Sequence, residues 1–349
     1  MFMVRRTALV LAGGMACRFQ SARQGWQDKA LALFEDKPFL IHIIENIAGL
    51  VDEVIVCVND EERIERYNRV LERYKLSAKF VVDEKAVVGG PICAILTGLK
   101  AAMADNCLIV PCDMPFVRAN VANYLFDLAK DFDVVMPMWP NGRLETLFMV
   151  LERSIGVEIV ETLCQLGRSH VDDIPRAASK VLLPSPVKVI RTLDPQLESF
   201  ININCPKDLE ALQTRSTDGS IREDIQFLRG KILISKLQRI REAAIMCQEN
   251  NFLSAQEIFE SCKRHFETCN NFFWTAITAE SKGETLLRQL QLQKNINLQA
   301  SLSQEAFFDA ADNYSKEAKS YEEKSCTLLL ERAFADKNRC ETLHIKNKQ

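Results

Sequence analysis

A short apolar run, Ala8-Leu9-Val10-Leu11, stops at Ala12-Gly13-Gly14, and two cations, Arg18 and Lys29, follow before Ala30-Leu31. Such a run is the pattern of a buried parallel strand. Glycine permits close backbone approach and positive φ, so successive N–H groups can be turned on one anion. With two basic side chains at the same mouth, the pattern reads as a cradle for a nucleoside triphosphate. It is not a P-loop, since no Gly-Lys-Ser/Thr follows at the required spacing, and not a G-x-G-x-x-G turn. A bare Ala-Gly-Gly is also an ordinary turn, so its meaning depends on what else meets it.

A second glycine turn, Val88-Gly89-Gly90-Pro91, opens the apolar segment Ile92-Cys93-Ala94-Ile95. Pro91 suits a first helical turn, which puts Gly90 at a helix N-terminus whose N–H groups suit a base or a phosphate. A further run, Cys107-Leu108-Ile109-Val110, ends in Pro111-Cys112-Asp113-Met114-Pro115. A carboxylate directly after a buried strand sits at the edge where open α/β sheets bind ligands. There Asp113 suits Mg²⁺, which takes one or two carboxylates together with substrate phosphates and water; a helix N-cap is its plainer role. Asn59 and Asp83 end two more runs, 54–58 and 79–82, and belong to the same edge. In the segment 200–206, read as a strand, Asn202 and Asn204 share one face by the period of two.

The elements that must position these residues alternate. Helices are expected over 39–50, over 61–75 and from Pro206, where Asp208 and Glu210 suit the positive end of the dipole. The charges of 61–75 are read as a solvated face. Strands 133–137 and 147–151 complete the series, the latter after Gly142-Arg143-Leu144-Glu145-Thr146. The pattern gives an α/β fold, a Rossmann-like and mostly parallel sheet with right-handed crossovers.

Composition divides the chain. Its 349 residues allow about two domains. All 11 prolines lie at or before Pro206, and a polar stretch, Thr214-Arg215-Ser216-Thr217-Asp218-Gly219-Ser220, follows. The expected division is a nucleotide-binding domain over 1–214, a linker at 215–222 and an all-helical domain over 223–345. With 44 basic and 47 acidic residues, a net charge of −3 gives no electrostatic case for nucleic acid or an anionic membrane as partner. No run approaches the ~18 apolar residues that span a bilayer, and the first residues lead straight into a strand, so a cytoplasmic location is expected. The 12 cysteines are scattered, form no C-x-x-C and accompany only 4 histidines. They read as small buried hydrophobes rather than zinc ligands.

Four motifs occur in order over residues 8–212: L-A-G-G-M-A-C-R-F with K-A-L, G-G-P-I-C-A-I, P-C-D-M-P-F and N-I-N-C-P-K-D-L. In this the chain resembles the molybdenum cofactor guanylyltransferases, within the wider sugar-nucleotidyltransferase-like fold. The resemblance implies that Leu11, Ala12, Gly13 and Gly14 supply nucleotide-binding backbone, with Lys29 on the phosphates and Arg18 in the same loop. It implies Asp83 near the base or ribose, Asp113 on Mg²⁺, and Asn202 and Asn204 on the acceptor side. Relatives often carry Asn where this chain has Cys57, so the resemblance implies that this nucleotide contact is either missing or moved to Asn59. The 18–29 loop is longer here and carries Trp26, and Cys205 replaces a usual Thr. The implied reaction is transfer of GMP from GTP to a phosphomonoester acceptor such as molybdopterin phosphate, with release of pyrophosphate. Arg18, Lys29 and Asp113 would be its catalytic residues. The competing readings are cytidylyl or sugar-1-phosphate nucleotidyl transfer on the same fold, and a non-catalytic nucleotide-binding protein with a helical interaction module.

Beyond the linker the chain carries long amphipathic patterns. A turn at Asn250-Asn251 followed by Phe252 to Phe259, and small and aromatic residues repeating from Ala306 to Tyr321, resemble fragments of tetratricopeptide helices. An antiparallel bundle fits equally. The cluster Phe272-Phe273-Trp274 reads as core. The region is a candidate docking module for a protein partner or for self-association.

Overall fold

The computed structural model describes residues 5–14, 28–83, 88–204, 208, 223–293 and 297–346. Arg18, Trp26, Cys205, the expected 215–222 linker and, apart from Asp208, the helix expected from Pro206 lie outside the described residues. Within them, eight strands make one sheet: β1 (Arg6–Leu11), β2 (Glu53–Val58), β3 (Lys79–Val82), β4 (Asn106–Pro111), β5 (Val134–Val135), β6 (Met149–Glu152), β7 (Lys180–Leu183) and β8 (Ile225–Leu228). Their order is β8-β7-β5-β6-β4-β1-β2-β3. The four strands β4, β1, β2 and β3 are parallel neighbours, with Leu11 opposite both Cys57 and Pro111 and Val58 opposite Val82. Their C-terminal ends therefore lie level. Crossovers are made by α1 (Phe39–Ile47), α2 (Glu61–Arg73), α3 (Pro91–Ala101) and α4 (Ala119–Leu128), while α5 (Arg153–Gln165) follows β6.

The period of two sorts the core. Ala8 and Val10 of β1 pack with Ile44, Tyr67 and Phe126 of α1, α2 and α4, while Leu9 and Leu11 pack with Ile95 of α3 and Leu163 of α5. β1, β2 and β4 are covered on both faces, which is why their sequences read as continuous apolar runs, whereas the edge strand β3 is only partly buried.

Three expectations change, two of them within residues 1–214. β6 runs antiparallel to both β4 and β5. Only 13 residues separate it from β5, and a Met138–Leu144 bridge folds them into a hairpin; a connection this short returns a strand antiparallel, since parallel strands need a longer crossover. The segment 200–206 is not a strand in its described part. A single helical turn, Glu198–Phe200, is followed by unpaired backbone through Asn204. This segment has no ladder partner: Ile203 N–H donates to the Asp113 carbonyl at 2.9 Å, and Phe200 packs against Trp139 and Phe148 in the core. Ile203 is buried, Asn202 is half-buried and Asn204 is exposed, so alternation survives without a ladder.

From residue 223 the chain opens with strand β8, antiparallel to β7, in place of the expected helix. After it come α7 (Ile234–Gln248), α8 (Phe252–Thr268), α9 (Phe272–Gln293), α10 (Asn297–Glu323) and α11 (Thr327–Lys346), with the short α6 (Asp173–Ala177) preceding β7. Starts at 234, 252, 272, 297 and 327 keep no ~34-residue period. Phe273 and Trp274 are buried, and the indole N–H of Trp274 donates to the Ala177 carbonyl at 2.8 Å. Leu9 of the central strand and Tyr314 of α10 belong to one continuous core. Of the described cysteines, all but Cys269 are buried, and none forms a disulfide.

Candidate active site

Four chain segments leave the level ends of β1, β2, β3 and β4 and surround a cavity of about 550 Å³. Leu11, Gly13, Gly14, Lys29, Asn59, Asp83, Gly90 and Asp113 all line it, with Pro91, Ala94, Cys112 and Leu147. Residues from seven separate stretches of the sequence thus meet at one sheet edge. Ala12 lies beneath: its side chain is buried and its N–H donates to the Cys57 carbonyl at 2.9 Å. Cys57 itself is fully buried, whereas exposed Asn59 stands at the cavity.

Both glycine turns need glycine for different reasons. A Cβ on Gly13 would stand 3.2 Å from Asp83 Oδ2 and 3.3 Å from the Asn59 backbone nitrogen, so the turn passes closer to its neighbours than a side chain easily permits. Gly90 has φ of +93° as the N-cap of α3, with Pro91 entering the first turn. That conformation is left-handed territory, and it aims the α3 N-terminus at the cavity.

Lys29 and Asp113 form the charged centre. Asp28 caps the single turn Lys29–Leu31 by accepting from the Ala30 N–H at 3.2 Å. Lys29 Nζ then lies 2.7 Å from Asp113 Oδ2 and donates to Asn204 Oδ1 at 3.1 Å. Asn204 is in turn fixed by its N–H, which donates to Asp208 Oδ2 at 2.7 Å. Asp113 Oδ1 is buried and has no partner among the described residues. A carboxylate with one oxygen held by a lysine and the other unpaired is an incomplete arrangement. It fits a hard cation that takes one protein carboxylate and completes its shell from phosphates and water. No group of three or more His, Cys, Asp or Glu placed to hold a metal occurs among the described residues, as that mode of binding requires none.

Asp83 supplies the second unpaired carboxylate oxygen, a buried Oδ1. Burial pushes its carboxyl up to about 6, against the opposing field of Arg63. Arg63 is also where the sequence reading fails. The charges of α2 do not all face solvent: Arg63, Tyr67 and Leu71, four residues apart, are buried. Arg63 Nη1 donates to the Ala12 carbonyl at 2.5 Å and Nη2 to the Gly14 carbonyl at 3.1 Å. Tyr67 donates to Asp28 at 2.9 Å. The i, i+4, i+8 spacing was the available signal.

The glycine turn, the lysine–aspartate pair and the α3 N-terminus at the edge of the parallel strands suit the phosphates of a nucleotide, and the relatives place the chain among the nucleotidyltransferases. The family profile described as the MobA-like NTP transferase domain matches residues 8–181. The chain is 34% identical over 209 residues to a probable molybdenum cofactor guanylyltransferase of Methanosarcina acetivorans, covering 59% of this chain and 89% of that one. A Methanosarcina mazei protein of the same description is 32% identical over 206 residues, 59% of this chain and 88% of its own. Among solved structures, molybdopterin-guanine dinucleotide biosynthesis protein A from Archaeoglobus fulgidus matches at 24% identity with a TM-score of 0.48, covering 59% of this chain and 95% of that one. The chain belongs to the MobA-like NTP transferase family.

Proposed function

We propose that the protein transfers GMP from GTP to molybdopterin phosphate and releases pyrophosphate. The observation that carries this reading is the Lys29–Asp113 pair, with its unpaired carboxylate oxygen, beside the Gly13-Gly14 turn. The relatives' descriptions supply guanine and molybdenum cofactor as the nucleotide and acceptor. A phosphate oxygen of the acceptor attacks the α-phosphorus, the bond to the bridging oxygen of the β-phosphate breaks, and pyrophosphate departs with that electron pair. An ionised phosphate nucleophile needs no general base, so positioning and charge neutralisation carry the catalysis.

In this scheme the amides of the Gly13-Gly14 turn hold phosphate oxygens, and Lys29 neutralises the charge that builds on the departing pyrophosphate. Arg18, outside the described residues, is assigned the same task. Asp83 accepts from the base, where guanine offers adjacent ring and exocyclic N–H donors. Asn202 and Asn204 face the acceptor, Asn204 sharing its oxygen with Lys29. Asp113 would hold Mg²⁺, which when bound neutralises the phosphate oxygens it touches.

Asp113→Asn keeps the shape and removes the charge. Pyrophosphate release in the presence of molybdopterin and GTP should fall by about 10²–10³-fold, with an unchanged circular dichroism spectrum. Unchanged turnover would refute the assignment, and turnover with CTP alone would reassign the enzyme to cytidylyl transfer.

A further inference from the structure

Residues 12–14 and 28–29 flank the 15–27 segment in sequence, and one guanidinium touches both flanks. Arg63 donates to the Ala12 and Gly14 carbonyls, while its Nε lies 3.9 Å from Asp28 Oδ2 and 3.3 Å from Asp60 Oδ2. Asp28 caps the turn that carries Lys29 and accepts from Tyr67. From these contacts we infer that Arg63 is a positioning residue of the triphosphate site. It clamps the glycine turn on one side and the Lys29 turn on the other, from a helix that itself does not line the cavity. The inference rests on the proposed nucleotidyl transfer and names a residue which that reading does not include.

The geometry gives the clamp its function. Because the peptide is planar and trans, the carbonyl of Ala12 and the N–H of Gly13 point in opposite directions. Binding the carbonyl to a cation behind the turn directs the Gly13 amide away from α2 and makes it a more polar donor. Arginine is the side chain suited to the task, because its planar fork reaches two carbonyls at once and stays charged when buried. Arg63 is only 2% exposed, and its place is fixed from α2, where Asp60 caps the helix through the Arg63 N–H at 2.9 Å. A lysine at this position has one point charge and cannot hold both carbonyls in the same fixed geometry.

The test is equilibrium binding of MgGTP to the full-length protein without acceptor, in four forms: wild type, Arg63→Met, Arg63→Lys and Leu71→Ala. Leu71 is buried on the same face of α2 and serves as the control for a purely structural loss. Arg63→Met should weaken GTP binding by about tenfold or more. Arg63→Lys, which keeps the buried charge and therefore the fold, should weaken it by about threefold to fivefold. Leu71→Ala should lower the melting temperature and leave the dissociation constant of the folded protein within about twofold of wild type. An Arg63→Lys constant equal to wild type, or a Leu71→Ala loss as large as that of Arg63→Met, would overturn the inference alone. A wild-type protein that binds no nucleoside triphosphate would overturn the proposed function and this inference with it.

Discussion

At the scale of single residues, the site is made of groups whose surroundings leave them unfinished. Asp113 and Asp83 each bury an oxygen without a partner, and such an oxygen is stabilised only when a ligand arrives. For Asp83 this has a pH signature. Burial raises its carboxyl to about 6, above the usual aspartate value near 3.9. Folding thus favours the protonated form, so Asp83 costs stability progressively as pH rises from about 3.9 to about 6, and above that the cost is constant. Under the proposed function, ligand binding has the opposite demand, because only the carboxylate accepts two donors from a base. The apparent KM for GTP should therefore rise as pH falls through about 6 and level off above 7, measured by initial rates of pyrophosphate release. Asp83→Asn should flatten that profile while raising KM at neutral pH; a profile shared by wild type and variant would remove Asp83 from the nucleotide site.

Elements were legible in the sequence to the extent that burial wrote itself as a pattern. The apolar runs 8–11, 54–58, 79–82 and 107–110 became β1, β2, β3 and β4, and the residues following them became the cavity wall. That works because a strand covered on both faces leaves its polar groups only at its ends. Direction was not legible, since nothing in Met149–Glu152 distinguishes an antiparallel strand from a parallel one; the short connection before it decides. Arg63 was overlooked for a related reason: in a helix crowded with charge, only its i, i+4, i+8 spacing with Tyr67 and Leu71 sets one buried arginine apart from its solvated neighbours. Turns among the last helices show a shared device. Asn250, Asn270 and Ser325 have positive φ, and the next residue in each case donates back across the turn: Asn251 to Met246, Asn271 to Phe266 and Cys326 to Tyr321. This is the Schellman closure, and each time it reverses the chain within three residues. Gly230, between β8 and α7, packs against the second of these turns: a Cβ there would stand 2.2 Å from the Cys269 carbonyl oxygen. Since that neighbour is backbone and cannot swing aside, Gly230→Ala should lose about 1–3 kcal/mol of stability in urea unfolding. GTP turnover per folded molecule should stay at the wild-type level, because the clash lies away from the residues of the cavity.

Across the whole molecule, the helices after β8 are joined to the sheet by apolar packing and by a buried ionic cluster. Arg176 on α6 is fully buried, donates to both oxygens of Glu317 on α10 at 2.9 and 2.8 Å, and reaches Asp173 at 2.7 Å and Asp336 of α11 at 2.8 Å. Arg168 binds the same two aspartates, at 2.9 and 2.6 Å. Removing one member of such a cluster leaves its partners charged in a dry interior, which costs about 3–5 kcal/mol. Arg176→Met should lose that much near neutrality. Its pH dependence separates an electrostatic loss from a packing loss. Burial pushes the carboxyls of Asp173 and Asp336 up, but Arg168 and Arg176 more than reverse this, so both lie below the usual carboxylate range. A carboxyl lowered by folding contributes stability above its unfolded value, near 3.9, and loses that contribution as pH falls further towards the folded value. Wild type should therefore lose stability steeply below pH 4. Arg176→Met, whose aspartates are less depressed to begin with, should lose less. The gap between the two proteins in urea unfolding should be constant from pH 7 to pH 5 and narrow by pH 3, and a gap that stays constant to pH 3 would mean that the arginine holds the helices to the sheet by its packing and not by its charge.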